Sequence, residues 1–77
     1  MDWGSVIEAL RKALETNPED ISVRIHLASI LEQSQRYEEA LTEYRFVRGL
    51  SPNSLPAWLG VVRVLMALRR WDEAIGS

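Results

Sequence analysis

Along most of this chain the apolar residues recur three and four positions apart. Between residues 5 and 16, Val6, Ala9, Leu10, Ala13 and Leu14 share one face of a helix. Asn17-Pro18-Glu19-Asp20 interrupts the pattern. Pro18 cannot continue a helix, and Asp20 suits the N-cap of the next one. Residues 21–33 place Ile21, Leu27, Ala28, Ile30 and Leu31 along a broad apolar face, and Ser34-Gln35-Arg36 reads as a short turn. Residues 37–50 carry Tyr37, Ala40, Leu41, Tyr44, Val47 and Leu50 at the same spacing. Ser51-Pro52-Asn53-Ser54 is a second interruption, with Ser54 as the cap. Pro56 follows in the first helical turn, where a missing N–H costs nothing. Residues 55–69 carry Leu55, Trp58, Val61, Val62, Leu65 and Leu68, and a last helix is expected to open at Trp71 and run to Ser77. Strand-like alternation appears nowhere. The pattern predicts an all-α chain of four helices plus the start of a fifth.

The helices repeat. Pro18 and Pro52 stand 34 apart, and so do Trp3, Tyr37 and Trp71, and Ala40 and Ala74. Arg36-Tyr37-Glu38-Glu39-Ala40-Leu41 reads almost as a copy of Arg70-Trp71-Asp72-Glu73-Ala74-Ile75. In this period and residue pattern the chain resembles the tetratricopeptide repeat family, whose unit is a helix–turn–helix of 34 residues. Leu27, Ala28, Leu31, Tyr37, Ala40, Tyr44, Val47 and Pro52 match that family's signature, followed by Trp58, Leu65, Trp71 and Ala74. The resemblance implies one domain over residues 1–77. Within it, residues 1–20 are the second helix of a preceding repeat and a linker, 21–54 a complete repeat, and 55–77 a first helix with a truncated second. The chain departs from the pattern at four places. Arg24 stands where a large aromatic is typical, Gln35 and Arg69 replace the turn glycine, and Val62 replaces a small residue that lets helices approach.

Composition narrows the function. The 77 residues are 47% hydrophobic and 26% charged, the balance of one small globular domain. The absence of cysteine removes disulfides, thiolate metal sites and cysteine nucleophiles. A net charge of −2 with mixed signs lacks the basic stripe of a nucleic-acid module, so no nucleic-acid partner is expected. No apolar run approaches the ~18 residues of a membrane span, and the first residues do not read as a secretory signal. The expectation is a cytoplasmic protein that does not engage membranes.

The candidate chemistry is sparse. His26 is the single histidine, with Ser22 and Ser29 as its neighbours in helical reach and no carboxylate or second histidine beside it. Glu38-Glu39 and Asp72-Glu73 are carboxylate pairs, but each falls in the first turn of an expected helix, where negative charge favours the macrodipole. Glycines 4, 49, 60 and 76 form no phosphate loop. No catalytic, metal-binding or cofactor-binding residues are expected, and the chain does not read as an enzyme.

What remains is surface. The resemblance implies a concave face lined by the first helix of each repeat, offered to a peptide or a partner helix. Carried over by position, this groove comprises Ser22, Ile25, His26, Ser29 and Gln33, then Leu59, Arg63, Met66 and Ala67. Ile25 and Leu59 are equivalent apolar positions, and Arg63 gives the groove one positive charge. The Lys and Asn residues with which some family members clamp a terminal carboxylate are absent. A second expectation follows from the register, which starts and stops within a repeat. Leu55, Trp58, Val62, Leu65 and Trp71 call for another helix to cover them, from a longer array, another domain or a second copy. Self-association into a dimer is the alternative function, with protein–protein interaction through the groove leading.

Overall fold

A computed structural model describes residues 2–76, with side chains described for residues 2–69. Four helices account for it: α1 (Trp3–Thr16), α2 (Ile21–Gln33), α3 (Tyr37–Leu50) and α4 (Leu55–Gly76). Each helix packs on the one before it, and α2 also touches α4. No strand occurs among the described residues. The result is a thin slab of 44 × 32 × 15 Å, in which α2 is covered by α1 on one side and α3 on the other.

The 34-residue period is written into the backbone. Asn17 and Ser51 end α1 and α3 with φ/ψ of −140°/80° and −138°/85°. The Asp20 N–H donates to the Asn17 carbonyl at 3.1 Å, and the Ser54 N–H to the Ser51 carbonyl at 3.0 Å. The expected caps follow. Asp20 accepts from the Val23 N–H at 3.2 Å and Ser54 from the Ala57 N–H at 3.4 Å. The turn between α2 and α3 differs in kind. Gln35 adopts a left-handed φ of 66° where the family pattern places glycine. The Arg36 N–H donates to the Leu31 carbonyl at 2.8 Å and the Gln35 N–H to the Glu32 carbonyl at 3.0 Å, a Schellman closure that normally selects glycine at the left-handed position.

The core runs through all four helices. Leu27, Ala28 and Leu31 of α2, Ala40, Tyr44 and Val47 of α3, and Val61 and Val64 of α4 are buried. Gly60 sets the closest approach: a Cβ built there would collide with the Tyr44 ring, so α3 and α4 meet through a glycine one turn before Val64. Val62, where the small residue was missing from the pattern, faces outward instead.

Three sequence expectations are corrected. First, α1 starts at Trp3, because Asp2 caps it by accepting from the Gly4 N–H at 3.1 Å and the Ser5 hydroxyl at 2.6 Å. Second, the buried face of α1 is turned. Ile7 and Leu14 are buried, with Trp3, Val6 and Leu10 against the same core, while Ala9 and Ala13 are exposed. Larger apolar side chains decide this, since burial returns free energy in proportion to area. Third, no separate helix opens at Trp71, because α4 continues unbroken to Gly76. Asp72 and Glu73 therefore lie in the later turns of α4, not in a first turn. A turn at Arg69 would demand the left-handed conformation that costs a side chain about 1–2 kcal/mol, whereas continuing the helix adds a backbone hydrogen bond per residue.

Candidate functional site

The two first helices of the repeats, α2 and α4, lie side by side and leave a furrow between them. Helical spacing places Ile25 and Ser29 on the facing side of α2, and Leu55, Leu59 and Arg63 on that of α4. Together with Tyr44 from α3 they line an apolar recess of about 310 Å³. A second recess of about 260 Å³ continues along the same furrow between Glu32, Tyr37, Arg63, Met66 and Ala67. Five residues named from the sequence, Ile25, Ser29, Leu59, Arg63 and Met66, thus come together, with Ala67 at the far end. Ser22, His26 and Gln33 are exposed on α2 and line neither recess. Gln33 instead donates back to the Ser29 hydroxyl at 3.3 Å.

Arg63 separates the two recesses and is not a lone charge. Its Nε donates to Glu32 Oε2 at 2.8 Å and its Nη2 to Glu32 Oε1 at 3.1 Å, a bidentate pair. The Tyr44 hydroxyl donates to Glu32 Oε1 at 2.9 Å from below. One carboxylate therefore ties α2, α3 and α4 together. The Arg63 guanidinium, followed by the Tyr44 hydroxyl, holds the Glu32 carboxyl below the usual carboxylate range. Burial, reinforced by the adjacent Glu32 charge, pushes the Tyr44 phenol up to about 12. Glu32, in turn, raises the Arg63 pKa above its ordinary value.

Glu32, Tyr37 and Tyr44 were not among the groove residues named from the sequence. Tyr44 matched a core position, and it is indeed buried while closing the floor of the furrow. Glu32 and Arg63 are 31 residues apart, one helical turn out of register with the repeat, so the period alone does not pair them. That offset was the available signal: a carboxylate one turn after the Ser29 position meets a guanidinium at the equivalent position of the next repeat.

A second cluster missed in the sequence lies where α1, α2 and α3 meet. Glu43 is buried at 8% exposure and accepts from Arg24 Nη1 at 2.6 Å, with Arg11 at 3.9 Å. Arg24 also donates through Nη2 to the Pro18 carbonyl at 2.8 Å and stacks over Phe46 at 3.8 Å. This is the arginine that replaces the family's aromatic residue, and it is built into the core edge.

Leu55, Trp58, Val62 and Leu65 are 41–65% exposed on α4, as the second expectation required. Trp58 is nonetheless partly engaged. Its indole N–H donates to the Pro52 carbonyl at 3.0 Å and Arg48 lies over its ring at 4.5 Å. Leu55 serves the furrow as well as the outer face. The Trp71 side chain lies outside the described residues. His26 is exposed. Among the described residues no group of three or more His, Asp or Glu side chains could hold a metal ion, and no helix is long and apolar enough to cross a membrane.

Fold and furrow together define a helical-hairpin repeat protein. A family model described as Tetratricopeptide repeat matches residues 7–54 and again residues 27–77. The chain belongs to the tetratricopeptide repeat family, whose repeats generally mediate protein–protein interaction. No curated protein and no solved structure matches it.

Proposed function

We propose that this chain is a non-catalytic protein-interaction module that receives a partner segment on the concave face of α2 and α4. One observation carries the reading: two adjoining recesses with largely apolar walls lie along that face, joined at the Arg63–Glu32 pair. Apolar concave sites with a few fixed polar groups are the usual form of a binding site. The bidentate pair and the Tyr44 hydroxyl hold the furrow in shape before a ligand arrives, which lowers the ordering cost of binding. Selection of a displayed random-peptide library on the purified chain tests this. Binding peptides are expected, and Leu59→Asp or Ile25→Asp is expected to abolish their capture while Arg45→Glu on exposed α3 leaves it intact. Failure to select any peptide, or selection indifferent to Leu59→Asp and Ile25→Asp, overturns the reading.

A second reading is assembly through the outer face of α4. Val62 at 47% and Leu65 at 41% exposure favour it, because their equivalents on α2, Ala28 and Leu31, are covered by α3. Light scattering over a dilution series decides this reading. A dimer that Leu65→Asp dissociates supports it, and a monomer at every concentration removes it.

A further inference from the structure

We propose that the furrow takes an amphipathic helix from a partner protein, seating apolar side chains of its residues i and i+7 in the two recesses and an acidic side chain between them on Arg63. This rests on the reading that the concave face is the binding surface. Its grounds are spacing and charge.

The first recess is walled on α4 by Leu55 and Leu59, the second by Met66 and Ala67. Leu59 and Met66 are two helical turns apart, which is roughly 10 Å at 1.5 Å per residue. A ligand helix lying along the furrow brings residues i and i+7 to one face at that same distance. An extended strand repeats same-face side chains at about 6.6 and 13 Å, so it brackets the Leu59–Met66 spacing without matching it.

The rib between the recesses supplies the polar part. Arg63 spends Nε and Nη2 on Glu32, and the Arg63 side chain remains 53% exposed. Nη1 makes no hydrogen bond to any described residue and is available to a ligand. Both Glu32 oxygens are turned to Arg63 and Tyr44, and its side chain is 21% exposed, so the charge the rib shows a ligand is positive. A Glu at ligand position i+3 or i+4 falls between the two apolar anchors, opposite that donor. Glu32 is a positioning residue here: it fixes the plane of the guanidinium without touching the ligand.

The probes are alanine-rich helical peptides with leucines seven apart that differ at the midpoint, carrying Glu, Gln or Lys, and a fourth with the leucines five apart. Fluorescence anisotropy with the full chain reads their affinities. The Glu peptide is expected to bind about threefold or more tighter than the Gln peptide, and the Lys peptide weaker still, as a half-exposed ion pair provides. The five-apart peptide is expected to bind worst. Arg63→Gln is expected to erase the midpoint ranking and Arg63→Glu to invert it, while Arg63→Lys, which keeps the charge, retains it. Equal binding of the Glu and Lys peptides, or a ranking that survives Arg63→Gln, overturns the inference. If no helical peptide binds while library-selected peptides still require Leu59 and Ile25, the inference fails and the groove reading stands. Should the helical peptides perturb Val62 and Leu65 instead of Leu59 and Ser29, both fail together.

Discussion

Arg24 and Trp58 occupy the same place in successive repeats, at the start of α2 and of α4. Each donates a side-chain hydrogen bond to the proline carbonyl six residues upstream, Pro18 at 2.8 Å and Pro52 at 3.0 Å. Each also stacks a cation on an aromatic ring, with the roles exchanged: Arg24 lies over Phe46, and Arg48 lies over Trp58. The repeat conserves the hydrogen bond and the stack while exchanging the residue that supplies them. The two sites differ in what closes them. Arg24 is sealed by Glu43 and has 14% of its side chain exposed, whereas Trp58 stays half in water. More generally α2 is a first helix with both flanks covered, and α4 is the same helix with one flank open. Equivalent residues should therefore carry very different energies.

The sharpest way to break that comparison is at Leu31 and Leu65, which are 34 apart. Leu31 is fully buried and Leu65 is 41% exposed. Leu31→Ala is expected to cost about 2–5 kcal/mol in chemical denaturation, and Leu65→Ala about 0.5 kcal/mol or less. Similar losses at the two positions would mean that α4 is covered in solution.

A smaller effect is expected at the arginine site. Arg24→Ala leaves the buried Glu43 with only the more distant Arg11 at 3.9 Å and should cost about 2–3 kcal/mol in the same measurement. Trp58→Ala should cost less, because its ring is already wet on one side.

The three-helix tie at Glu32 makes stability depend on pH in two directions. The folded Glu32 carboxyl lies below its ordinary value, so its contribution is present above the unfolded carboxylate range and is lost as pH falls through the folded value. The Tyr44 phenol is raised to about 12 in the folded state, so its contribution is present below about pH 10 and fades between 10 and 12. Thermal midpoints across pH should fall at both ends, and Tyr44→Phe should remove the part of the alkaline fall that belongs to this phenol.

The smallest change is a gain. Gln35 holds a left-handed φ of 66° in the hairpin turn, and Gln35→Gly should stabilise by about 0.5–1 kcal/mol, the relief of that conformation less the added chain entropy of glycine. A loss of stability would mean that the Gln35 side chain contributes more than its backbone costs.

Much of the fold was legible because its signals are local. Pro18 and Pro52, with caps at Asp20 and Ser54, mark the interruptions in the sequence and sit in matching turns. The face of α1 was misread because Ala9 and Ala13 were counted on it and Ile7 was left off, although the larger side chain gains more from burial and orients the helix. The turn at Arg69 was misread because the copy of Arg36-Tyr37-Glu38 at Arg70-Trp71-Asp72 suggests a boundary that the backbone does not take. In the candidate site, Ile25, Ser29, Leu59 and Arg63 followed from the resemblance to tetratricopeptide repeats, carried over by position. Their polar setting did not, because Glu32–Arg63 joins successive repeats at an offset of 31 rather than 34, and Arg24–Glu43 joins two helices of one repeat 19 residues apart, neither of which the period marks.

The proposed function requires the concave face to be the working surface of this repeat. Nuclear magnetic resonance mapping of a library-selected peptide on the isotope-labelled chain tests it directly. Shifts are expected to concentrate at Ile25, Ser29, Leu59, Arg63 and Met66, with Val62 and Leu65 unmoved. Shifts centred on Val62 and Leu65, with the furrow unchanged, would contradict it and place binding on the open flank of α4.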